Sequence, residues 1–118
     1  MRSRASAPPL GANREEMQEL LAGMREEYAR KLPEQLTRIE SLWREMAGGI
    51  DSRKDELLRA AHSMAGAAAT FGLPNVGTAA RELERVLQPV CARRGAPNDR
   101  DRSQIEERIA QLQDSWRP

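Results

Sequence analysis

The chain contains a single histidine, His62. If this segment is helical, the residues that follow His62 on the same face have small side chains. A neutral imidazole is a nucleophile toward phosphorus that needs no dedicated base, so a histidine facing solvent could accept a phosphoryl group. In a helix, Ala65, Gly66 and Ala69 share its face within two turns. Exposed helix faces ordinarily carry Glu, Lys, Arg or Gln. The spacing therefore predicts an imidazole that stands above a low surface, open to another protein.

Two further residues favour a functional site here. Gly66 lies inside the helical pattern, where a glycine costs about 0.5 to 1 kcal/mol relative to alanine. We interpret that glycine as room for a partner that approaches from outside. Arg59 precedes His62 by three residues, which places a permanent positive charge beside it. A simpler interpretation stays open, in which His62 and Arg59 are ordinary solvated residues of a helix surface.

The composition is typical of helices that pack on helices. The 118 residues suffice for one domain, and only 3% of them are aromatic. Nineteen basic and eighteen acidic residues are interspersed, with a formal net charge of +1. No field of one sign therefore indicates nucleic acid or a membrane as the main partner. We predict an all-α fold.

Apolar residues recur at helical spacing in five segments. We predict a flexible arm over residues 1–12, then helices over 13–31, 33–47, 52–71, 74–90 and 103–116, with a polar loop over 95–102. Pro33 suits the first turn of a helix, and the pairs Ser52 with Asp55 and Ser103 with Glu106 resemble capping boxes. Pro89 is expected to kink or shorten the last turn of its helix.

The predicted domain, residues 13–118, is a bundle. Short loops favour antiparallel neighbours, so the last four helices should run up-down-up-down, with an additional N-terminal helix along or across them. In the helix over 52–71 the apolar stripe runs from Leu57 to Phe71. At roughly 100° per residue His62 lies roughly 140° from the centre of that stripe, which predicts a histidine that faces solvent.

Several site classes are not expected. Cys91 has no partner for an internal disulfide, and one cysteine with one histidine does not complete a zinc site without carboxylates. No apolar run approaches the roughly 20 residues that span a bilayer, and residues 1–10 lack the apolar segment of a secretory signal. We expect no metal or cofactor on this chain and a cytoplasmic location.

Three segments together resemble the histidine-containing phosphotransfer (HPt) domain of multistep phosphorelays: His62-Ser63-Met64-Ala65-Gly66-Ala67-Ala68, Thr70-Phe71-Gly72-Leu73 and Ala79-Ala80-Arg81-Glu82-Leu83-Glu84. The resemblance implies a helical bundle whose exposed His62 carries a phosphoryl group between aspartates of receiver domains. It implies response-regulator receiver domains and a hybrid sensor kinase as partners, with Mg²⁺ on the receiver. The chain is expected to be a monomeric phosphocarrier and not an enzyme on its own.

The chain departs from many members of that family at one position. Ala65 stands where they carry a lysine, three residues after the histidine. Arg59, or Arg81 on the next helix, is expected to supply the missing charge. Leu58 and the small residues Ala65, Gly66 and Ala69 are expected to form part of the face that docks the receiver.

Two other functions stay open at this point. A helical adaptor could bind receiver or kinase domains through the same face without becoming phosphorylated, and the absent lysine keeps this alternative open. A purely structural bundle could use the small residues to pack against a second copy, which leaves His62 unexplained.

Overall fold

Four α-helices make up the described part of the chain. This computed structural model describes the backbone of residues 10–116 and the side chains of residues 13–116. The helices are α1 (Leu10–Ala47), α2 (Arg53–Thr70), α3 (Pro74–Ala92) and α4 (Asp99–Trp116). The predicted all-α class is confirmed. None of these helices is both long and apolar enough to cross a membrane.

The prediction of an additional N-terminal helix is wrong, because the first two predicted segments form one helix. α1 continues through Pro33, which has no N–H to donate and was expected to begin a new helix. Leu32 and Leu36 are both buried, so the apolar stripe stays in phase on either side of the proline. Pro33 itself is exposed. Burial of this shared stripe outweighs the one hydrogen bond that the proline removes.

The ends of α1 and α3 also differ from the prediction. α1 begins at Leu10, so residues 10–12 of the predicted arm are helical. Residues 1–9 of that arm, and residues 117 and 118 of the predicted domain, lie outside the described residues. α3 is not shortened at Pro89 but continues to Ala92, with Val90 buried.

The structure corrects both predicted capping boxes, at Ser52 and at Ser103. α4 begins at Asp99, ahead of the predicted Ser103, because Asn98 forms the capping box. Asn98 Oδ1 accepts the Asp101 N–H at 2.8 Å, and Asp101 Oδ2 accepts the Asn98 N–H at 3.1 Å. Ser52 precedes α2 but makes no capping hydrogen bond.

α1 is antiparallel to α2, because Arg53 near the start of α2 donates to Glu45 at 2.7 Å and Arg38, earlier in α1, donates to Glu56 at 3.0 Å. α1 is also antiparallel to α4. Between α1 and α4, Trp43 Nε1 donates to Glu106 at 3.2 Å and Arg102 donates to the Ala47 carbonyl at 2.8 Å. One contiguous core fills the interior. Its largest fully buried side chains are Leu32, Ile39, Met46, Leu57, Leu83, Leu87, Ile105 and Leu112.

The first half of α1 carries apolar side chains that the bundle leaves uncovered. The first described core residue of α1 is Tyr28, whose ring packs against Phe71 with centroids 5.4 Å apart. Four large apolar residues before it are exposed: Met17, Leu20, Leu21 and Met24. This stripe therefore contributes little to the core, although its spacing is helical.

Candidate functional site

His62 lies on the outer face of α2 and contacts a carboxylate of α3. Its side chain is 74% exposed, and its Nδ1 atom lies 2.7 Å from Oε2 of Glu84. The Glu84 side chain is only 17% exposed, since it lies where α3 packs against α2. An ionised carboxylate only accepts hydrogen bonds, so Nδ1 donates its proton to Glu84. In the neutral ring this arrangement leaves the lone pair on Nε2.

Glu84 is a site residue that the sequence interpretation did not single out. It lies four residues after Ala80 and one after Leu83, both fully buried, so it borders the apolar face of α3. This spacing, which can be read from the sequence, indicates that the Glu84 side chain is partly buried. Glu82, two residues earlier, pairs instead with Arg85 at 3.0 Å, and this guanidinium lowers the pKa of Glu82. Only the packing of α3 on α2 distinguishes the two acidic residues.

Ala65 differs from its predicted place on the docking face, because it is only 3% exposed. α3 covers it through Gly77, where an added Cβ would lie 3.6 Å from the Ala65 carbonyl oxygen and 3.4 Å from the backbone nitrogen of Ala69. The two helices therefore approach closely on this side of His62. A long side chain at position 65 would have to displace α3.

The other small residues near His62 remain on the surface. Gly66 and Ala69 are exposed, and a Cβ added to Gly66 would meet nothing within 4 Å. Leu58 is half-buried and packs against the core, so it offers only part of its side chain. The surface beside His62 thus includes Gly66, Ala69 and one edge of Leu58.

α2 and α3 each carry one of the two arginines that were predicted to supply the missing charge. Arg59 on α2 and Arg81 on α3 are exposed, and neither has a hydrogen-bond or ion-pair partner among the described residues. Arg85 is held by Glu82. Both guanidinium groups are therefore free to meet an anion.

Metal chemistry has no ligand set in the described residues. No group of three or more His, Cys, Asp or Glu side chains there could hold a metal ion. Cys91 is half-buried far along α3, and its Sγ donates to the Lys54 carbonyl at 3.5 Å. Burial raises the pKa of this thiol, so the reactive thiolate is disfavoured. The groups that the structure brings into contact at His62 are its imidazole and the Glu84 carboxylate.

Comparison with known proteins gives one match. No curated protein and no solved structure matches the chain. The family described as the Hpt domain matches residues 10–115, nearly the whole chain, and the helical bundle agrees with that fold. The protein therefore belongs to the Hpt domain family.

Proposed function

We propose that this protein is a phosphocarrier that moves a phosphoryl group between receiver-domain aspartates through His62. Hpt domains are histidine phosphotransfer modules of phosphorelays, not stand-alone enzymes. The observation that carries the assignment of His62 is its pairing with Glu84: an exposed ring, with Nδ1 bound and Nε2 free. No other histidine is present to take the role.

The bonds and charges of the proposed transfer balance with the groups present on the two proteins. The lone pair of Nε2 attacks the phosphorus of an aspartyl phosphate, and the P–O bond to the aspartate breaks. The electron pair of that bond returns to the aspartate carboxylate. The ring becomes a phosphoimidazolium whose Nδ1 proton stays in the hydrogen bond to Glu84, and the carboxylate offsets the new positive charge. Return transfer to a second aspartate runs the same steps in reverse.

The receiver supplies the remaining parts in this proposal. Its aspartate and Mg²⁺ come to the phosphoryl group, while this chain contributes the nucleophile and a surface low enough to admit them. Catalysis then consists of positioning and charge neutralisation across the interface. The exposed Gly66 and Ala69 leave the approach to His62 open. A receiver domain and an upstream hybrid kinase are the partners we propose.

The test is transfer of labelled phosphate from a phosphorylated receiver of the same organism. We expect label on the parent protein that is stable in base and lost in acid, as a histidine phosphoramidate is. His62→Gln should take up no label while its helical circular dichroism is unchanged. The unchanged circular dichroism excludes unfolding as the cause of the lost label.

The adaptor function makes the opposite prediction. A non-phosphorylated adaptor would bind the receiver and take up no label from any receiver or kinase of the organism. Label that persists in His62→Gln would also contradict the proposal, because the chain has no second histidine.

A further inference from the structure

We infer that Arg59, and not Arg81, is the cation that faces the phosphoryl group on Nε2 of His62. This inference rests on the proposed function and assigns the charge that position 65 does not carry. Both arginines are exposed and without a hydrogen-bond or ion-pair partner among the described residues. Geometry distinguishes them.

The first distinction is the direction in which the imidazole is held. Nδ1 lies 2.7 Å from Glu84, which is on α3. The two nitrogens point in widely different directions from the ring, so Nε2 is directed away from Glu84 and α3, into the solvent that reaches this exposed side chain. A phosphoryl group bonded to Nε2 therefore extends away from the helix that carries Arg81.

The second distinction is the flank of His62 on which each residue lies. Ala65, three residues after His62, is buried under α3. Arg59, three residues before His62, lies roughly 120° around α2 from Ala65 at 100° per residue, on the flank that α3 leaves uncovered. Arg59 is accordingly exposed. Arg59 and the free edge of the ring thus share one side of the helix.

The third distinction is the lean of helical side chains toward the N-terminus of their helix. The His62 ring leans over the turn of α2 that contains Arg59. α3 is antiparallel to α2, because Gly77 lies against Ala69 while Glu84 lies against His62. Arg81 therefore leans toward the end of α2, away from the ring.

A cation beside the phosphoryl group on Nε2 would stabilise the reaction. The phosphoryl group brings negative charge, and Glu84 adds another on the opposite edge of the ring. A guanidinium beside the transferring oxygens stabilises their charge, more so when the docked receiver excludes water. Arg59 is then a residue that contacts the reacting phosphoryl group, whereas Arg81 does not contact it.

The experiment uses two phosphoryl donors on the full-length protein. Phosphoramidate is a small donor with no docking surface: its P–N bond breaks, ammonia leaves, and phosphorus bonds to Nε2. A phosphorylated receiver is the second donor. Arg59→Gln should slow phosphorylation by both donors about tenfold or more. Arg59→Lys should recover most of the rate, and the control Arg81→Gln should change it less than about twofold.

The outcomes separate this inference from the proposed function. An Arg59→Gln protein that equals the parent with phosphoramidate overturns the inference, as does a larger loss in Arg81→Gln. Loss with the receiver alone would make Arg59 a docking residue, which also overturns it. If the parent takes phosphate from phosphoramidate but from no receiver, the proposed function fails while the comparison of the two arginines stands. Thermal melts of the three variants should match the parent.

Discussion

The Nδ1 atom of His62 lies 2.7 Å from Oε2 of Glu84, and this contact joins the outer face of α2 to the edge of α3. An imidazole on a helix surface ordinarily rotates freely, with either nitrogen protonated. Here a half-buried carboxylate fixes one orientation and one tautomer. The reactivity of Nε2 therefore depends on how closely α3 packs against α2.

Replacing Glu84 should slow phosphoryl transfer without unfolding the protein. We expect a loss of about 10- to 100-fold in Glu84→Leu, by analogy with the loss seen when the orienting partner of a metal-binding histidine is removed. Glu84→Gln keeps an acceptor for the Nδ1 proton but loses the charge, so its loss should be smaller. The measurement is a transfer time course. Glu82→Gln is the matched control on α3, and a loss there equal to that of Glu84→Leu would contradict the assigned role.

Enlarging Gly66 should move stability and transfer in opposite directions. Nothing lies within 4 Å of an added Cβ, so Gly66→Gln should gain about 0.5 kcal/mol or more in helix propensity. The same side chain would keep a receiver from His62, and small misplacements of reacting atoms cost about a hundredfold in rate. Thermal melts and transfer rates measure the two effects.

Gly23 provides the matched control for that substitution. It is an exposed helical glycine of α1, again with nothing within 4 Å of an added Cβ. Gly23→Gln should leave the transfer rate at the parent value. Gly66→Gln that melts higher and still transfers at the parent rate would show that Gly66 has no part in docking.

Lys54 should contribute more to stability than any exposed ion pair of this protein. It is the one buried charged residue among the described side chains, and its Nζ donates to the carbonyls of Arg93 at 2.7 Å and Gly95 at 2.9 Å. Lys54→Met leaves both carbonyls without this donor, which should lower the free energy of unfolding by about 2 kcal/mol. Urea unfolding followed by circular dichroism gives the value.

Asp51 separates the two contributions of that lysine. It also pairs with Lys54, at 2.7 Å, but its own side chain is exposed. Asp51→Asn should cost less than about 0.5 kcal/mol, because exposed ion pairs are screened by solvent. Equal losses in the two variants would mean that the ion pair, and not the backbone carbonyls, makes Lys54 important.

Cys91 should react slowly with thiol reagents until the protein unfolds. Burial raises the pKa of its thiol, which outweighs the opposite effect of the Lys54 charge, and the thiolate is the reactive form. At any pH below the raised pKa the folded protein holds less thiolate than the unfolded chain. The rate of alkylation against pH, with and without urea, tests this. A midpoint in the folded protein at or below that of the unfolded chain would disprove it.

Much of the site follows from helical spacing alone. The spacing of Leu57, Ala61 and Met64 specifies which face of α2 is buried, and so places His62 on the opposite face before any packing is known. Gly66 falls on the surface for the same reason. These are local properties, because a helix of known period determines which of its own side chains share a face.

The tertiary structure decided the features that depend on how one helix packs against another. Pro33 begins a helix by local preference, yet burial of Leu32 and Leu36 in one core keeps α1 continuous. Ala65 and Arg59 flank His62 equally in the sequence, and only the side on which α3 packs makes one buried and the other free. Glu84 became part of the site in the same way. Period and propensity describe one helix, whereas the choice of neighbour depends on burial summed over the whole core, which no single segment contains.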